Sequence, residues 1–222
     1  MVMATPRPPG HADPPAPRPA LQAVRLEQLR PRHLRQVLAI EQAVYPRPWS
    51  SGLFLSELEL VDSRRYHVAV ARGPRRGLRP GAARVVGYGG VMVQVGEAHI
   101  TTLAVDPAEH RRKVASRLLL RLLADARAMG AGAATLEVRA ANAGAQRLYH
   151  AFGFAPVGVR PRYYAETGED ALIMWLHELQ GPEVADRLAA QAARLDAPGG
   201  SSGAPDLPVP WVRGRVGLGD DR

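Results

Sequence analysis

The sequence predicts a mixed α/β fold in which a central, mostly antiparallel sheet carries helices on both faces. Three observations lead to this fold. Apolar residues recur at helical spacing in several segments, and they alternate or run together in shorter segments between them. Two neighbouring strand patterns are joined by a short turn at Gly96-Glu97. In the second half of the chain, strand and helix patterns alternate, which is typical of β-α-β units.

The elements of the first half follow from local signals. A strand at 23–29 precedes a helix at 31–44, where Leu34, Val37 and Leu38 have helical spacing. Two prolines exclude regular helix from 45–49, and Ser50 or Ser51 then caps a short second helix. The remaining signals predict strands at 66–71, 85–95 and 99–105, with a Gly/Pro/Arg loop at 73–83.

In the second half, a long helix is predicted at 112–129, with its leucines on one face and Gly130 ending it. A short strand follows at 135–138. Asn142 is a natural N-cap for a helix at 143–152, which Gly153 ends. Two strands, 155–159 and 171–175, close the sheet. The predicted order is β-α-α-β-β-β-α-β-α-β-β.

The two ends of the chain differ from residues 21–180, which form the predicted domain. Residues 1–20 contain seven prolines and no apolar run, so we expect a disordered leader rather than a secretory signal, and a cytoplasmic protein. Residues 181–222 are expected to be a mostly disordered tail with a short helix at 182–195. Trp211 and Val212 lie beyond it.

Composition excludes several classes of chemistry. The 222 residues contain no cysteine, which excludes disulfides, thiolate nucleophiles and zinc–thiolate sites. The apolar run 85–95 is far shorter than the about 18 residues of a membrane span. The net charge of +8 falls within 21–180, with arginines clustered between Arg64 and Arg84 and cations between Arg111 and Arg117. Such clusters fit a nucleic acid or any other polyanion.

Three segments contain candidate functional residues. The cationic loop after Asp106 leads into a long helix, whose free N–H groups attract anions, so it is either a diphosphate cradle or a solvated basic turn. Glu137, on a short strand, is either a general base with a pKa raised by burial or a surface carboxylate paired with Arg139 or another arginine. Tyr149 is either a catalytic hydroxyl or a core residue, and His150 beside it is expected to be exposed.

Taken together, these segments resemble the GNAT acetyltransferases, and among them the RimI-type enzymes that acetylate the N-terminal alanine of a ribosomal protein. The resemblance covers about residues 24–176. It rests on the following motifs: Val105-Asp-Pro, His110-Arg-Arg-Lys-Val-Ala-Ser, Leu136-Glu-Val-Arg-Ala-Ala-Asn, Leu148-Tyr, Phe152-Gly-Phe, Pro48-Trp-Ser, Arg162-Tyr-Tyr and Glu169-Asp-Ala.

The resemblance implies acetyl-CoA as co-substrate and no metal. The strand at Leu103 would pair with the pantetheine arm, a bulge in that strand would hold the thioester carbonyl, and the helix-start loop would bind the pyrophosphate. The implied cofactor-binding residues are Leu103, Ala104, Val105, His110, Arg111, Arg112, Lys113, Val114, Ala115, Ser116 and Asn142. Two residues depart from the family pattern, because His110 replaces Gln or Arg and Lys113 replaces a glycine. Lys113 lacks the backbone freedom of glycine, so we expect binding with altered geometry or affinity.

The same resemblance implies Glu137 as the general base, Tyr149 as the acid, and a peptide groove flanked by Trp49, Tyr163 and Tyr164. For Trp49 and Tyr163, plain packing is an equal alternative. The implied acceptor is the N-terminal alanine of a small-subunit ribosomal protein, reached by direct transfer in a ternary complex.

The alternatives are a GNAT enzyme acting on a lysine or a small amine, a non-catalytic acetyl-CoA-binding module, and an RNA-binding module. Aromatic residues make up only 5% of the chain, which argues against an RNA-stacking surface. We therefore expect a protein N-terminus as the partner, without a direct nucleic-acid function and without a membrane partner.

Overall fold

The structure is a computed structural model that describes residues 22–72 and 82–197. The predictions for 1–20, for most of the loop 73–83 and for Trp211 lie outside these residues. The described residues form seven strands and four helices in the predicted order, followed by a fifth helix. They are β1 Gln22–Gln28, α1 Leu34–Val44, α2 Ser51–Glu59, β2 Arg64–Arg72, β3 Ala83–Gln94, β4 Glu97–Val105, α3 Val114–Ala128, β5 Ala133–Arg139, α4 Ala143–Ala151, β6 Ala155–Tyr164, β7 Glu169–Leu176 and α5 Pro182–Asp196.

All seven strands belong to one sheet in the order β1-β2-β3-β4-β5-β7-β6. Every neighbouring pair is antiparallel except β4 and β5, which run parallel. Their pairing is confined to residues 97–99 of β4 and 133–135 of β5. Beyond this short contact the two strands separate, so the middle of the sheet opens into a gap (the β4–β5 gap) between residues 100–105 and 136–139. This sheet with helices on both faces confirms the predicted fold class.

Each face of the sheet has its own apolar core. On one face, α3 and α4 pack on the sheet through Leu118, Leu122 and Phe152, and Leu136 of β5 belongs to the same cluster. On the other face, α1 and α2 cover a second cluster that includes Phe54. Strand residues alternate between the two faces. Leu136 and Glu137 therefore point to opposite sides of the sheet, and Glu137 faces the side of α1 and α2.

The predicted caps and stops are present. The Ser50 side chain accepts a hydrogen bond of 3.1 Å from the Leu53 N–H at the start of α2. Asn142 does the same for α4, accepting from the Ala145 N–H at 3.0 Å. Gly130 and Gly153 end α3 and α4 with φ values of +82° and +97°, a region that glycine enters without steric cost. None of the helices within 22–72 and 82–197 is long and apolar enough to cross a membrane.

Helix α1 begins at Leu34 rather than at 31, and two further predicted boundaries were wrong. The long helix α3 begins at Val114 rather than at 112, because Arg111 and Lys113 both have positive φ, +65° and +58°, which breaks the helix. Strand β6 continues to Tyr164 instead of ending at 159. It does so despite Pro161, because β6 is the edge strand of the sheet and an edge strand tolerates a residue without an N–H.

Candidate active site

Four buried polar atoms gather around the β4–β5 gap, and none of them makes a hydrogen bond of good geometry within the described residues, although two of them lie 3.3 Å from each other. They are His99 Nε2, Glu137 Oε2, Tyr149 Oη and Tyr164 Oη. Burial raises the pKa of both tyrosines, and smaller contributions come from Tyr164 to Tyr149 and from Glu137 to Tyr164, which places the three groups near one another. Buried polar groups in native proteins almost always have partners, so such a cluster indicates a place where a ligand binds.

Glu137 is a buried carboxylate, with 4% of its surface exposed. Burial raises its pKa, and the nearby Arg160 guanidinium partly opposes this rise. Arg160 Nη2 lies 3.3 Å from Glu137 Oε1, whereas Arg139 instead contacts Glu166 and Glu169. An arginine thus contacts Glu137, as the surface-carboxylate alternative foresaw, but the group itself lies inside the sheet. A buried carboxylate with a raised pKa is suited to accept a proton near neutral pH.

His99 was missed by sequence reasoning. Its Nε2 lies 3.3 Å from Glu137 Oε2, and the side chain is almost buried. Burial lowers the pKa of His99 to about 4, with help from the charges of Arg160 and Arg64, so the imidazole is neutral at pH 7. Neither chain spacing nor a motif links His99 to Glu137. They meet because β4 and β5 pair in parallel, with His99 opposite Thr135, and the sheet order that causes this is not readable locally.

The buried histidine predicts a pH-dependent stability. In the unfolded chain His99 takes up a proton near pH 6.5, whereas in the folded chain it does so only near pH 4. The stability that neutral His99 provides is therefore present above pH 6.5 and is lost as the pH falls towards 4. We expect the free energy of unfolding to fall by about 3 kcal/mol across this window relative to His99→Gln. Urea unfolding of both proteins between pH 4 and 7 measures this difference, and parallel pH profiles would contradict it.

Tyr149 lies on α4, with its side chain completely buried. The ring packs edge-on against Phe154, with 5.9 Å between the ring centres. Burial raises the pKa of the Tyr149 hydroxyl well above its usual value, so the hydroxyl keeps its proton. Tyr149 was predicted to be either a core residue or a catalytic hydroxyl. The ring is part of the core, and the buried hydroxyl is one of the four atoms at the gap, so the catalytic role stays a prediction.

The residues implied to bind the pantetheine arm, Leu103–Val105, lie at the end of β4 that borders the gap. One backbone edge of this segment pairs with β3, and its other edge lies beyond the last β4–β5 pair. A bulge is present, at Thr101, where the pairing shifts between Gly90 and Val91 of β3. It therefore precedes Leu103 by two residues. Backbone groups along such an edge can pair with an extended ligand as they would with a strand.

The loop before α3 presents backbone N–H groups in an unusual conformation. The first N–H groups of α3, from Val114 to Ser116, have no partner within the helix because a helix start lacks the preceding carbonyls. Lys113 precedes them and takes the left-handed conformation that the family pattern assigns to glycine, at a cost of about 1–2 kcal/mol. The side chain of Lys113 therefore does not prevent the left-handed conformation, and the expected change in cofactor geometry or affinity stays a prediction. His110 Nε2 lies 3.3 Å from the Val105 carbonyl.

The cations of this loop differ in their surroundings. Arg111 is exposed, and Arg112 is bound to Glu109 at 2.9 Å. Lys113 and Arg117 contact the carbonyl end of α5. Asn142, also implied as a cofactor contact, uses its side-chain oxygen as the N-cap of α4.

The residues implied to line a peptide groove lie on two elements. Trp49 is buried and packs against Phe54, with 5.2 Å between ring centres. Tyr163 is half-buried and stands perpendicular to Tyr164. The Arg139 guanidinium lies 3.8 Å from the centre of the Tyr164 ring, which holds that ring at the gap. Packing accounts for Trp49, and peptide contact stays a prediction for all three residues.

The arginine cluster at 64–84 is partly used in ion pairs. Arg64 contacts Glu57 at 3.0 Å, and Glu57 accepts a 2.6 Å hydrogen bond from Tyr66. Arg84 contacts Asp106 at 3.1 Å and also Glu109. These two arginines therefore stabilise the fold around β2–β4.

Known proteins share both the sequence and the fold. Residues 34–154 match the profile described as the acetyltransferase (GNAT) family. The N-alpha-acetyltransferase RimI of Mycobacterium tuberculosis is 37% identical over 132 residues, 57% of this chain and 74% of that protein. The ribosomal protein bS18-alanine N-acetyltransferase of Escherichia coli K12 is 31% identical over 139 residues, 62% of this chain and 86% of that protein.

Among solved structures, the ribosomal-protein-S18-alanine N-acetyltransferase of Escherichia coli superposes with a TM-score of 0.58 at 28% identity. The superposition covers 70% of this chain and 94% of that one. Ard1 of Thermoplasma volcanium gives a TM-score of 0.60 at 26% identity, over 70% of this chain and 98% of that one. The profile match alone spans more than half of the 222 residues. This chain therefore belongs to the GNAT family and is an acetyltransferase.

Proposed function

We propose that this acetyltransferase transfers the acetyl group of acetyl-CoA to the α-amino group of a protein N-terminus, with the N-terminal alanine of a small-subunit ribosomal protein as its acceptor. The observation that carries the proposal is the pair of buried groups at the β4–β5 gap, the Glu137 carboxylate and the Tyr149 hydroxyl. Relatives named for acetylation of ribosomal protein bS18 support the choice of acceptor.

The residues around the gap fit the chemistry of coenzyme A. The pantetheine arm contains amides, and the edge of β4 at Leu103–Val105 offers backbone groups that amides pair with. The pyrophosphate is an anion, and the N–H groups from Val114 to Ser116 point out of the start of α3. In the described ranges no group of acidic, histidine or cysteine side chains could hold a metal ion, and the proposal requires none.

Each step of the transfer has a residue for it. Acetyl-CoA supplies the acetyl group as a thioester. Glu137 accepts the proton that the amine loses as its nitrogen bonds to the acetyl carbon. Backbone N–H groups near Leu103–Val105 donate to the carbonyl oxygen as charge develops on it. Tyr149 donates a proton to the sulfur as the carbon–sulfur bond breaks. The chain contains no cysteine for a thioester intermediate, so direct transfer in a ternary complex is favoured.

The pKa of the acceptor favours an α-amine over a lysine. A free α-amino group has a pKa of about 8 and a lysine about 10.4. At pH 7, removing the proton costs about 1.4 kcal/mol for the α-amine and roughly 4.6 kcal/mol for the lysine. Glu137 is the one carboxylate among the four unpartnered buried polar atoms, and a single carboxylate meets the first cost more readily.

The acceptor is tested with acetyl-CoA and matched peptides. One peptide begins with alanine and has no lysine, and its partner has a blocked N-terminus and one internal lysine. We expect acetylation of the first peptide at least about tenfold faster than of the second, which reflects the difference in deprotonation cost. Mass spectrometry locates the acetyl group. Transfer only to lysine would make the alternative acceptor correct, and transfer to neither would contradict the proposal.

A further inference from the structure

The last helix of the described residues, α5, is attached to the domain along its whole length. Val184, Leu188 and Leu195 are buried, which anchors its start, middle and end. Gln191 donates a hydrogen bond of 2.7 Å to the carbonyl of Ala151 at the end of α4. The helix lies outside residues 34–154, the part that matches the family profile. Strands β6 and β7 also lie beyond that part, but α5 adds no strand to the sheet and instead packs on α3 and α4.

The carbonyl end of α5 lies against the loop that precedes α3. Lys113 Nζ donates to the Arg194 carbonyl at 3.2 Å. Arg117 donates to the Leu195 carbonyl and contacts Asp196 Oδ1 at 3.2 Å. The last carbonyls of a helix lack partners within the helix and carry partial negative charge, so two cations satisfy them well. The end of α5 therefore contacts the first turn of α3 at two points, at Lys113 before the turn and at Arg117 at its end.

Lys113 occupies the position where the family pattern has glycine, and it has the left-handed backbone that glycine provides freely. A lysine enters this region only against steric resistance, so the surroundings must hold it there. The contact between Lys113 Nζ and the Arg194 carbonyl fixes the far end of the side chain. The N–H groups that follow Lys113, from Val114 to Ser116, are those that we propose for the pyrophosphate.

We propose that the carbonyl end of α5 is a positioning element of the cofactor site, which anchors Lys113 and Arg117 and so holds the loop before α3 in its anion-binding conformation. The inference rests on the proposed binding of coenzyme A phosphates by this loop. It connects the lysine at this position with the docked helix α5. Cofactor affinity and the docking of α5 are then coupled.

The test is a double-mutant cycle in the full chain. Leu195→Asp places a charge at a buried position and detaches the end of α5, and Lys113→Gly gives the loop a residue that needs no anchor. With Lys113 present, we expect Leu195→Asp to raise the Kd for coenzyme A about tenfold in calorimetry. In the K113G background, the same change should alter Kd less than about twofold. Ala189→Asp, which places the same charge at an exposed position of α5 and removes no docking contact, is the matched control and should leave Kd unchanged.

Hydrogen exchange of the amides at 112–116 gives a second readout that needs no cofactor. Leu195→Asp should speed their exchange in the Lys113 protein and leave it unchanged in the K113G protein. If Leu195→Asp does not fold, Arg117→Met removes the donor to the Leu195 carbonyl while every buried residue of α5 stays in place. Arg117→Met should also speed the hydrogen exchange of these amides in the Lys113 protein and leave it unchanged in the K113G protein.

Three outcomes overturn the inference. Equal losses of affinity and equal exchange in both backgrounds would mean that α5 acts through general stability or charge. Tighter coenzyme A binding after Leu195→Asp would mean that α5 competes with the phosphates. Unchanged exchange in the Lys113 protein would mean that the loop needs no anchor. Failure of the unmodified protein to bind coenzyme A contradicts the proposed function instead, and the exchange cycle still decides the role of α5.

Discussion

Replacing Glu137 by glutamine is expected to lower kcat by about 100- to 1,000-fold at pH 7, because the amide cannot accept the proton of the attacking amine. The side chain keeps its shape and its place between Arg160 and His99. The KM for acetyl-CoA should therefore change little. Steady-state assays with an alanine-starting peptide measure both constants.

The pH profile separates a base from a structural residue. Burial raises the pKa of Glu137, so activity of the natural protein should fall as the pH drops through that raised value. In Glu137→Gln the fall in activity caused by protonation of Glu137 disappears. Activity should instead rise with pH up to the pKa of the amine, about 8, because the amine then loses its proton to solvent without a catalytic base. Glu97→Gln, at the exposed first residue of β4, is the control and should leave kcat unchanged. Full activity of Glu137→Gln near pH 7 would show that another group is the base.

Replacing Tyr149 by phenylalanine is expected to lower kcat by about 100-fold, because no hydroxyl then donates to the departing sulfur. Stability should not fall with it. No group among the described residues bonds to the Tyr149 hydroxyl, and the ring stays in its contact with Phe154. Activity assays and thermal unfolding of the same preparation measure the two effects together.

Tyr66→Phe is the matched control, since Tyr66 is also a buried tyrosine of this domain. Its hydroxyl donates to Glu57 at 2.6 Å and lies 3.2 Å from the Thr101 hydroxyl. Removing it leaves a buried carboxylate short of a donor, so we expect a loss of about 1–3 kcal/mol in the free energy of unfolding. The two variants should thus separate activity from stability. If Tyr149→Phe keeps its kcat, the acid is another group, and the Tyr164 hydroxyl becomes the next candidate.

The sequence was sufficient for the parts of the fold that depend on local signals. The Ser50 and Asn142 caps, the glycine stops and the turn before β4 are each determined by neighbouring residues, and all were predicted. The start of α3 was not, because Lys113 takes a conformation that its side chain disfavours. What holds it there lies 81 residues away, in α5, beyond the reach of any local pattern.

The candidate site divides in the same way. Glu137 and Tyr149 were identified through a family resemblance between short motifs, and their catalytic roles stay predictions. The contact of His99 with Glu137 and that of Arg139 with the Tyr164 ring were not predicted, because both depend on which strands are neighbours in the sheet. Alternation along β4 and β5 places residues on a face, but it does not say that residues 97–99 meet 133–135 and that the strands then part.

The unpartnered hydroxyl of Tyr149 has a consequence for how such a protein changes under selection. A buried polar atom without a partner lowers the stability of the resting enzyme by about 1–3 kcal/mol, and phenylalanine removes that burden. Selection for heat resistance alone would thus favour loss of this hydroxyl, and with it the proton donor that we propose for the reaction. We therefore expect laboratory evolution for thermal tolerance to recover phenylalanine at this position unless an activity screen is applied.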